Sequence, residues 1–391
     1  MINYDDFLNE SIVKVKPSGI RKFFSIAEEM DNVISLGVGE PDFLTPWHIR
    51  SVAIDYLDKG LTRYTSNSGM LPLREEICRY YTRKYNVEYD PKTEVLVTVG
   101  GSEGIDMAIR TLISNGDDVL VVEPSFVCYK PIVETSGGRA IPLTTYAENK
   151  FKLTAEELEK AITPDTKMLV FPYPNNPTGG IMRKDELQAV ADVCIKHNLI
   201  VLSDEIYSEL TYGDEEHCSI ASLEGMKERT IVINGFSKTY SMTGWRLGYA
   251  LGPAPIIKQM TKFHQFAIMS APTNAQYAAI DALKNGDADI KKMRDEYDMR
   301  RKYAVNRFNE IGLTTFEPEG AFYMFPCIKS TGLTSEEFCE KLILAKRVAV
   351  VPGSAFGDCG EGFIRVSYCY SIDNIKIAID RIEEFIKEIK N

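Results

Sequence analysis

The hydrophobic pattern of this chain switches period repeatedly. Short apolar runs at residues 95–99, 118–122, 167–171, 199–203 and 230–234 are rich in Val, Ile and Leu. Their length and branching suit strands covered on both faces. Between them, apolar positions recur every three or four residues, predicting helices over 71–85, 103–113 and 155–162, the last opened by the capping box Thr154-x-x-Glu157. Strand and helix in alternation predict an α/β fold, a mostly parallel sheet with helices on both faces.

Beyond residue 250 the pattern changes. Helical stretches run to about Ala282, and a charged helical segment follows over 287–310, whose charges read as a solvated face. Strand patterns at 321–325, 348–351 and 363–368, with helices after Thr334 and over 374–389, predict a smaller α+β domain. With 391 residues the chain exceeds one small core. The expected division is 1–45 as an arm and part of the small domain, 46–285 as the large domain, and 286–391 as the small C-terminal domain.

Composition removes several function classes. A net charge of -11 argues against a nucleic-acid partner, and no apolar run is long enough to span a bilayer. The start shows no basic segment leading into an apolar one, so a cytoplasmic protein is expected. Eight scattered cysteines have no metal-ligand spacing, so no metal is expected, and they read as small hydrophobes in a reducing compartment. The four histidines, His48, His197, His217 and His264, receive no catalytic role, because nothing local places a carboxylate or nucleophile beside them.

The chemistry gathers behind the predicted strands. Lys238 follows the run 230–234, and Arg246 stands eight residues later. An amine at a strand end can form a Schiff base with an aldehyde, and a guanidinium fork grips a phosphate. Aldehyde plus phosphate points to pyridoxal 5'-phosphate. A Lys-x7-Arg pair alone is more often a surface lysine and a helix-end charge. Other strand ends add to it, however. Gly101-Ser102 opens a helix, as phosphate cradles do, although tight turns without ligand are common. Asn176 lies in an Asn-Pro-Thr-Gly turn, and Asp204 directly follows an apolar strand, where an acid is costly without a partner. A phosphate cradle, an amide, a carboxylate and an amine are thus delivered to one rim, where open α/β sheets bind ligands. Glu103 would repel a phosphate, so its side chain is expected to point away.

The segment from Gly235 to Gly248 resembles the lysine signature of class I and II aminotransferases, the fold-type I pyridoxal phosphate enzymes, and the likeness spans nearly the whole chain. The resemblance implies that Lys238 holds the cofactor and moves the proton, and that Asp204 pairs with the pyridine nitrogen. It assigns Tyr207 and Asn176 to the phenolic oxygen, and Gly101, Ser102, Ser237 and Arg246 to cofactor binding. Phe126 would stack on the ring, or else simply pack in the core. Gly39, Asn176 and Arg365 would hold the substrate carboxylate, although strand alternation leaves a solvent-facing Arg365 open. Tyr64, in a polar loop, would reach the neighbouring subunit's phosphate, which implies a homodimer with shared sites.

The expected activity is amino transfer between an L-amino acid (aspartate, aromatic or related) and a 2-oxo acid such as 2-oxoglutarate, with ping-pong kinetics. Alternatives are a β-lyase or synthase on the same fold, a non-catalytic cofactor-binding regulatory protein, and an aldolase without the cofactor. Side-chain specificity is open: Arg21 or Lys22 would suit a second carboxylate, whereas Ile20 and Phe24 would suit an apolar side chain.

Overall fold

The apolar runs become the centre of a seven-stranded sheet. The computed structural model describes residues 2–17, 19, 20, 26, 30–214 and 216–390. The strands in chain order are β1 (Ile34–Ser35), β2 (Val95–Thr98), β3 (Asp118–Glu123), β4 (Arg139–Thr144), β5 (Thr166–Phe171), β6 (Ile200–Asp204), β7 (Thr230–Gly235), β8 (Gly248–Leu251), β9 (Tyr323–Met324), β10 (Val348–Ala349), β11 (Val351–Pro352) and β12 (Ile364–Ser367). The large sheet runs β2-β8-β7-β6-β5-β3-β4, with β8 antiparallel to both neighbours and every other pair parallel. It is therefore the mostly parallel sheet expected, and β2, β7, β6, β5 and β3 all point their carboxyl ends to one edge.

Alternate side chains of each central strand go to opposite faces, which is why the runs are apolar throughout. Val119 and Val121 pack with Ile105 and Ile109 of the helix Gly100–Leu112, whereas Leu120 and Val122 pack with Leu187 and Val190 of the helix Lys184–Lys196. Strand β4 escapes the hydrophobic pattern because it lies at the sheet edge, partly exposed and carrying Pro142. The helix expected from residue 103 begins at Gly100, which places Gly101 and Ser102 within its first turn.

A separate core joins Leu36 to the later chain, including Phe308, Phe322, Phe338, Val366 and Ile382, and it reaches back to Tyr207 and Leu210. The helix Asp287–Glu310 carries the predicted charges, but its face is not wholly solvated. Arg300 is buried and paired with Asp42 at 2.9 Å and Glu296 at 3.0 Å; Arg301 is buried against Asp298 at 2.7 Å and Glu317 at 2.8 Å. Carboxylates within reach allow both guanidinium groups to leave water. Of the arm residues considered for specificity, Arg21, Lys22 and Phe24 lie outside the described residues.

Gly248 lets β8 pass against the turn between β2 and its helix. A Cβ there would meet the backbone carbon of Gly100 and the nitrogen of Gly101, each at 2.6 Å. Backbone cannot swing aside as a long side chain can. Gly248→Ala is expected to destabilise the fold by about 1–3 kcal/mol, read as a lowered denaturant midpoint at unchanged slope. An unaltered midpoint would show that the two segments separate freely.

Candidate active site

A cavity of about 260 Å³ opens at the shared carboxyl edge, lined by residues from segments far apart in sequence. Gly39, Gly101, Ser102, Phe126, Asn176, Asp204, Tyr207, Ser237, Lys238, Arg246 and Arg365 all line it. Tyr64 does not; it is 82% exposed on the surface of the chain.

Strand β7 delivers Lys238 three residues beyond its end. The Lys238 ammonium donates to the Gly39 carbonyl at 2.5 Å and lies 5.7 Å from the centre of the Phe322 ring. Burial lowers its pKa from 10.5 to about 8, and the positive charges of Arg365 and Arg246 push the same way. At pH 7 only about a tenth of this amine is thus uncharged and nucleophilic, though far more than of an ordinary lysine.

Asp204 is the last residue of β6, not the one past it, and it is buried. Its carboxylate accepts from the Tyr129 hydroxyl at 2.7 Å and from the Ile206 N–H at 3.2 Å. Burial nonetheless raises its pKa above the ordinary carboxylate value, because two donors do not replace lost water. A cation placed beside it in the cavity would reverse that cost.

Arg365 is buried, not solvent-facing, since all four residues of β12 are covered. One terminal nitrogen donates to Asn176 Oδ1 at 2.8 Å and the other to the Gly37 carbonyl at 2.6 Å. A guanidinium has no acceptor, so the Asn176 oxygen must face it and the amide NH2 is what Asn176 offers the cavity. The guanidinium is sandwiched, 4.5 Å from the Tyr323 ring centre and 4.8 Å from that of Phe356. The Tyr207 hydroxyl lies 3.0 Å from that of Tyr323, and burial raises the pKa of both phenols.

At the opposite side, the first turn of the helix Gly100–Leu112 presents the N–H groups of a helix N-terminus, with Ser102 beside them. A Cβ on Gly100 would lie 2.7 Å from Arg246 Nη2, so the guanidinium hangs over this turn. Glu103 turns away as expected, accepting from the Val99 N–H at 2.5 Å and pairing with His264 Nδ1 at 2.7 Å. Phe126 forms part of the wall, edge-on to Tyr129 with ring centres 6.2 Å apart.

One expectation needs correction. Each histidine does have a carboxylate neighbour: His48 with Asp281 and Asp289, His197 with Glu159, His217 with Glu205, and His264 with Glu103. These partners are distant in sequence, which hid them, and no histidine lines the cavity. The sequence reading also missed Tyr129 and Tyr323. Tyr129 stands three residues after Phe126, a spacing that hints at one shared wall, but its bond to Asp204 crosses 75 residues.

The donor set suits a phosphorylated pyridine aldehyde. It has an amine for the aldehyde, a helix N-terminus with an arginine for the phosphate, a buried carboxylate that gains from a cation, and an aromatic wall. The fold and this constellation together define an amino-group-transferring enzyme of the α/β class. Comparison with known proteins agrees: the family described as aminotransferase class I and II matches residues 31–382, so the chain belongs to that family and is an aminotransferase. It is 47% identical to an aspartate aminotransferase of Pyrococcus abyssi, over 98% of this chain and 99% of that protein. To aromatic-amino-acid aminotransferase 2 of Thermococcus litoralis it is 45% identical, again over 98% and 99%. The solved aromatic aminotransferase of Pyrococcus horikoshii superposes with a TM-score of 0.91 at 46% identity, covering 95% of this chain and 99% of that one.

Proposed function

We propose that the cavity binds pyridoxal 5'-phosphate and that the substrates are an L-amino acid (aspartate, aromatic or related) and a 2-oxo acid such as 2-oxoglutarate. The observation that carries this reading is the convergence of Lys238, Asp204, Asn176, Arg246 and Arg365 on one cavity from separate segments. The bound cofactor supplies an aldehyde for amine exchange and a ring that accepts the electron pair left when the substrate Cα–H bond breaks.

The residues divide the remaining work. Lys238, lowered to a pKa of about 8, would hold the aldehyde carbon, and its Nζ is the base for the substrate Cα proton. Asp204 keeps the ring nitrogen protonated. Asn176 and Tyr207 donate to the phenolic oxygen. Ser102, Ser237, Arg246 and the N–H groups at Gly101 hold the phosphate, and Phe126 covers the ring. Arg365 grips the substrate carboxylate beside Asn176 and Gly39, placing every amino acid in the same pose.

The assignment extends to the assembly. Tyr64 is exposed, as are the apolar residues Leu61, Phe266, Ile268 and Met269, and Asn67 of the same loop donates to the Met269 carbonyl at 2.8 Å, which supports a homodimer in which Tyr64 reaches the partner subunit's phosphate site. Residues 46–285 would then form the cofactor domain, with 1–45 and 286–391 forming the arm and small domain, a division supported by the core that joins Leu36 to the later chain. Eight free cysteines support a reducing compartment such as the cytoplasm. Among the described residues, no helix is long and apolar enough to cross a membrane.

The absorption spectrum of protein loaded with pyridoxal phosphate tests the reading. A visible band is expected, bleached by single L-amino acids without an acceptor and restored by a 2-oxo acid. Pyruvate and ammonia released without any acceptor would instead show elimination, and absence of the band would overturn the assignment of Lys238. Arg365→Leu is expected to raise KM for amino acids on the order of 10- to 100-fold, because a charge-assisted pair of hydrogen bonds to the carboxylate is lost. An unchanged KM would place the carboxylate elsewhere.

A further inference from the structure

Tyr323 touches three groups on which the proposed reaction depends, and nothing in that scheme uses it. It stands on β9, held through the pairing of β9 with β12, so it shares a frame with Arg365 two residues away from its partner Ser367. Its side chain is buried except where it lines the cavity. Its ring forms one side of the sandwich around the Arg365 guanidinium, at 4.5 Å. Its hydroxyl lies 3.0 Å from that of Tyr207. The same hydroxyl presses on Gly39, where a Cβ would sit 1.7 Å from it, and the carbonyl of Gly39 accepts from Lys238 at 2.5 Å.

The ring and the hydroxyl do separable things. A guanidinium stacked between two aromatic faces keeps its charge while its plane, and hence the direction of its N–H groups, is fixed. Phe356 supplies the other face at 4.8 Å, so removing the Tyr323 ring would free one side only. A phenol both donates and accepts. When Tyr207 gives its proton to an oxygen in the cavity, its own oxygen is left as an acceptor, and the Tyr323 hydroxyl is the donor within reach. A hydroxyl that accepts a hydrogen bond becomes a stronger donor, so the pair acts as a relay toward the cavity.

We propose that Tyr323 is a positioning residue with two parts, a ring that orients Arg365 for the substrate carboxylate and a hydroxyl that strengthens the hydrogen bond Tyr207 donates to the cofactor. This rests on the reading of the cavity as a pyridoxal phosphate site. It also accounts for glycine at position 39, since any side chain there would displace the hydroxyl from Tyr207.

The test compares wild type, Tyr323→Phe and Tyr323→Leu, each loaded with pyridoxal phosphate. Two quantities are read: the pH midpoint of the visible band, and the Kd of succinate and of 3-phenylpropanoate, carboxylates with no amine to react. Tyr323→Phe keeps the ring and loses the hydroxyl. Its pH midpoint is expected to rise by roughly half a unit or more, with Kd within about twofold of wild type. Tyr323→Leu loses both, and its Kd is expected to rise about 10-fold as well. An unshifted midpoint in the Phe variant overturns the hydroxyl's role, and a wild-type Kd in the Leu variant overturns the ring's role. Should the Leu variant fail to fold, the Phe variant still decides whether the hydroxyl acts through Tyr207. A wild-type protein that develops no band on adding pyridoxal phosphate overturns the reading of the cavity itself, a result distinct from either.

Discussion

Lys238→Met is expected to lower turnover by about 10,000-fold or more while making the cofactor-free protein more stable at pH 7. The two effects share one cause. The amine that, under the proposed reading, attacks an aldehyde and carries a proton sits where water has been removed, and this lowers its pKa from 10.5 to about 8. A lysine whose pKa is lower folded than unfolded binds protons more weakly in the native state, so the fold bears a penalty wherever the unfolded chain keeps the lysine charged. The shift corresponds to about 3 kcal/mol, present in full below about pH 8 and fading as pH rises toward 10.5. Methionine removes that penalty but leaves the Gly39 carbonyl without its 2.5 Å donor, which returns part of it. A net gain of about 1–2 kcal/mol at pH 7 remains, shrinking as pH rises. Thermal unfolding of the two cofactor-free proteins at pH 7 and pH 10 measures it. A variant that retains activity within tenfold would remove Lys238 from the chemistry; a stability difference that grows with pH would contradict the lowered pKa.

Much of the architecture could be read from the chain because burial on both faces writes itself as uninterrupted apolar residues. Leu96, Leu120, Leu169, Leu202 and Ile233 each sit in such a run, and each is fully buried in the large sheet. Strand direction leaves no such mark. Gly248–Leu251 is as buried as its neighbours, yet it runs antiparallel between β2 and β7. Exposure also hides strands, as at β4, where Pro142 and partly exposed neighbours resemble a loop.

The site divides in the same way. Lys238, Asp204, Asn176 and Gly101 were legible because each interrupts or follows an apolar strand with a group that needs a reason to be there. Tyr129 and Tyr323 gave no comparable signal, since a tyrosine is at home in a core, and their bonds to Asp204 and Tyr207 are made by tertiary packing alone. The positions of highest local cost were therefore found first, and the residues that support them only after the chain was folded.

Asp204→Asn is the second large effect expected, a loss of turnover of about 100- to 1,000-fold with little change in shape. Asparagine fits the same space, and its oxygen can accept the Ile206 N–H while its NH2 donates to the Tyr129 hydroxyl. What disappears is the negative charge, which under the proposed reading keeps the ring nitrogen protonated and the ring able to accept the Cα electron pair. The charge is costly when the cavity lacks a cation, as the raised pKa of Asp204 shows. For an acid whose folded pKa lies above its unfolded value, the native state is favoured most at low pH, and that advantage is lost as pH rises through the folded pKa. At pH 7 the carboxylate therefore weighs against the cofactor-free fold, and the Asn variant should unfold at an equal or higher temperature than wild type. With pyridoxal phosphate bound the order should reverse, because only the aspartate gains from the positive ring. Opposite changes in thermal stability without and with cofactor, accompanied by the drop in turnover, would tie Asp204 to the ring nitrogen. Equal changes in both states would instead leave it as a structural acid, held by Tyr129 and Ile206 for the sake of the fold.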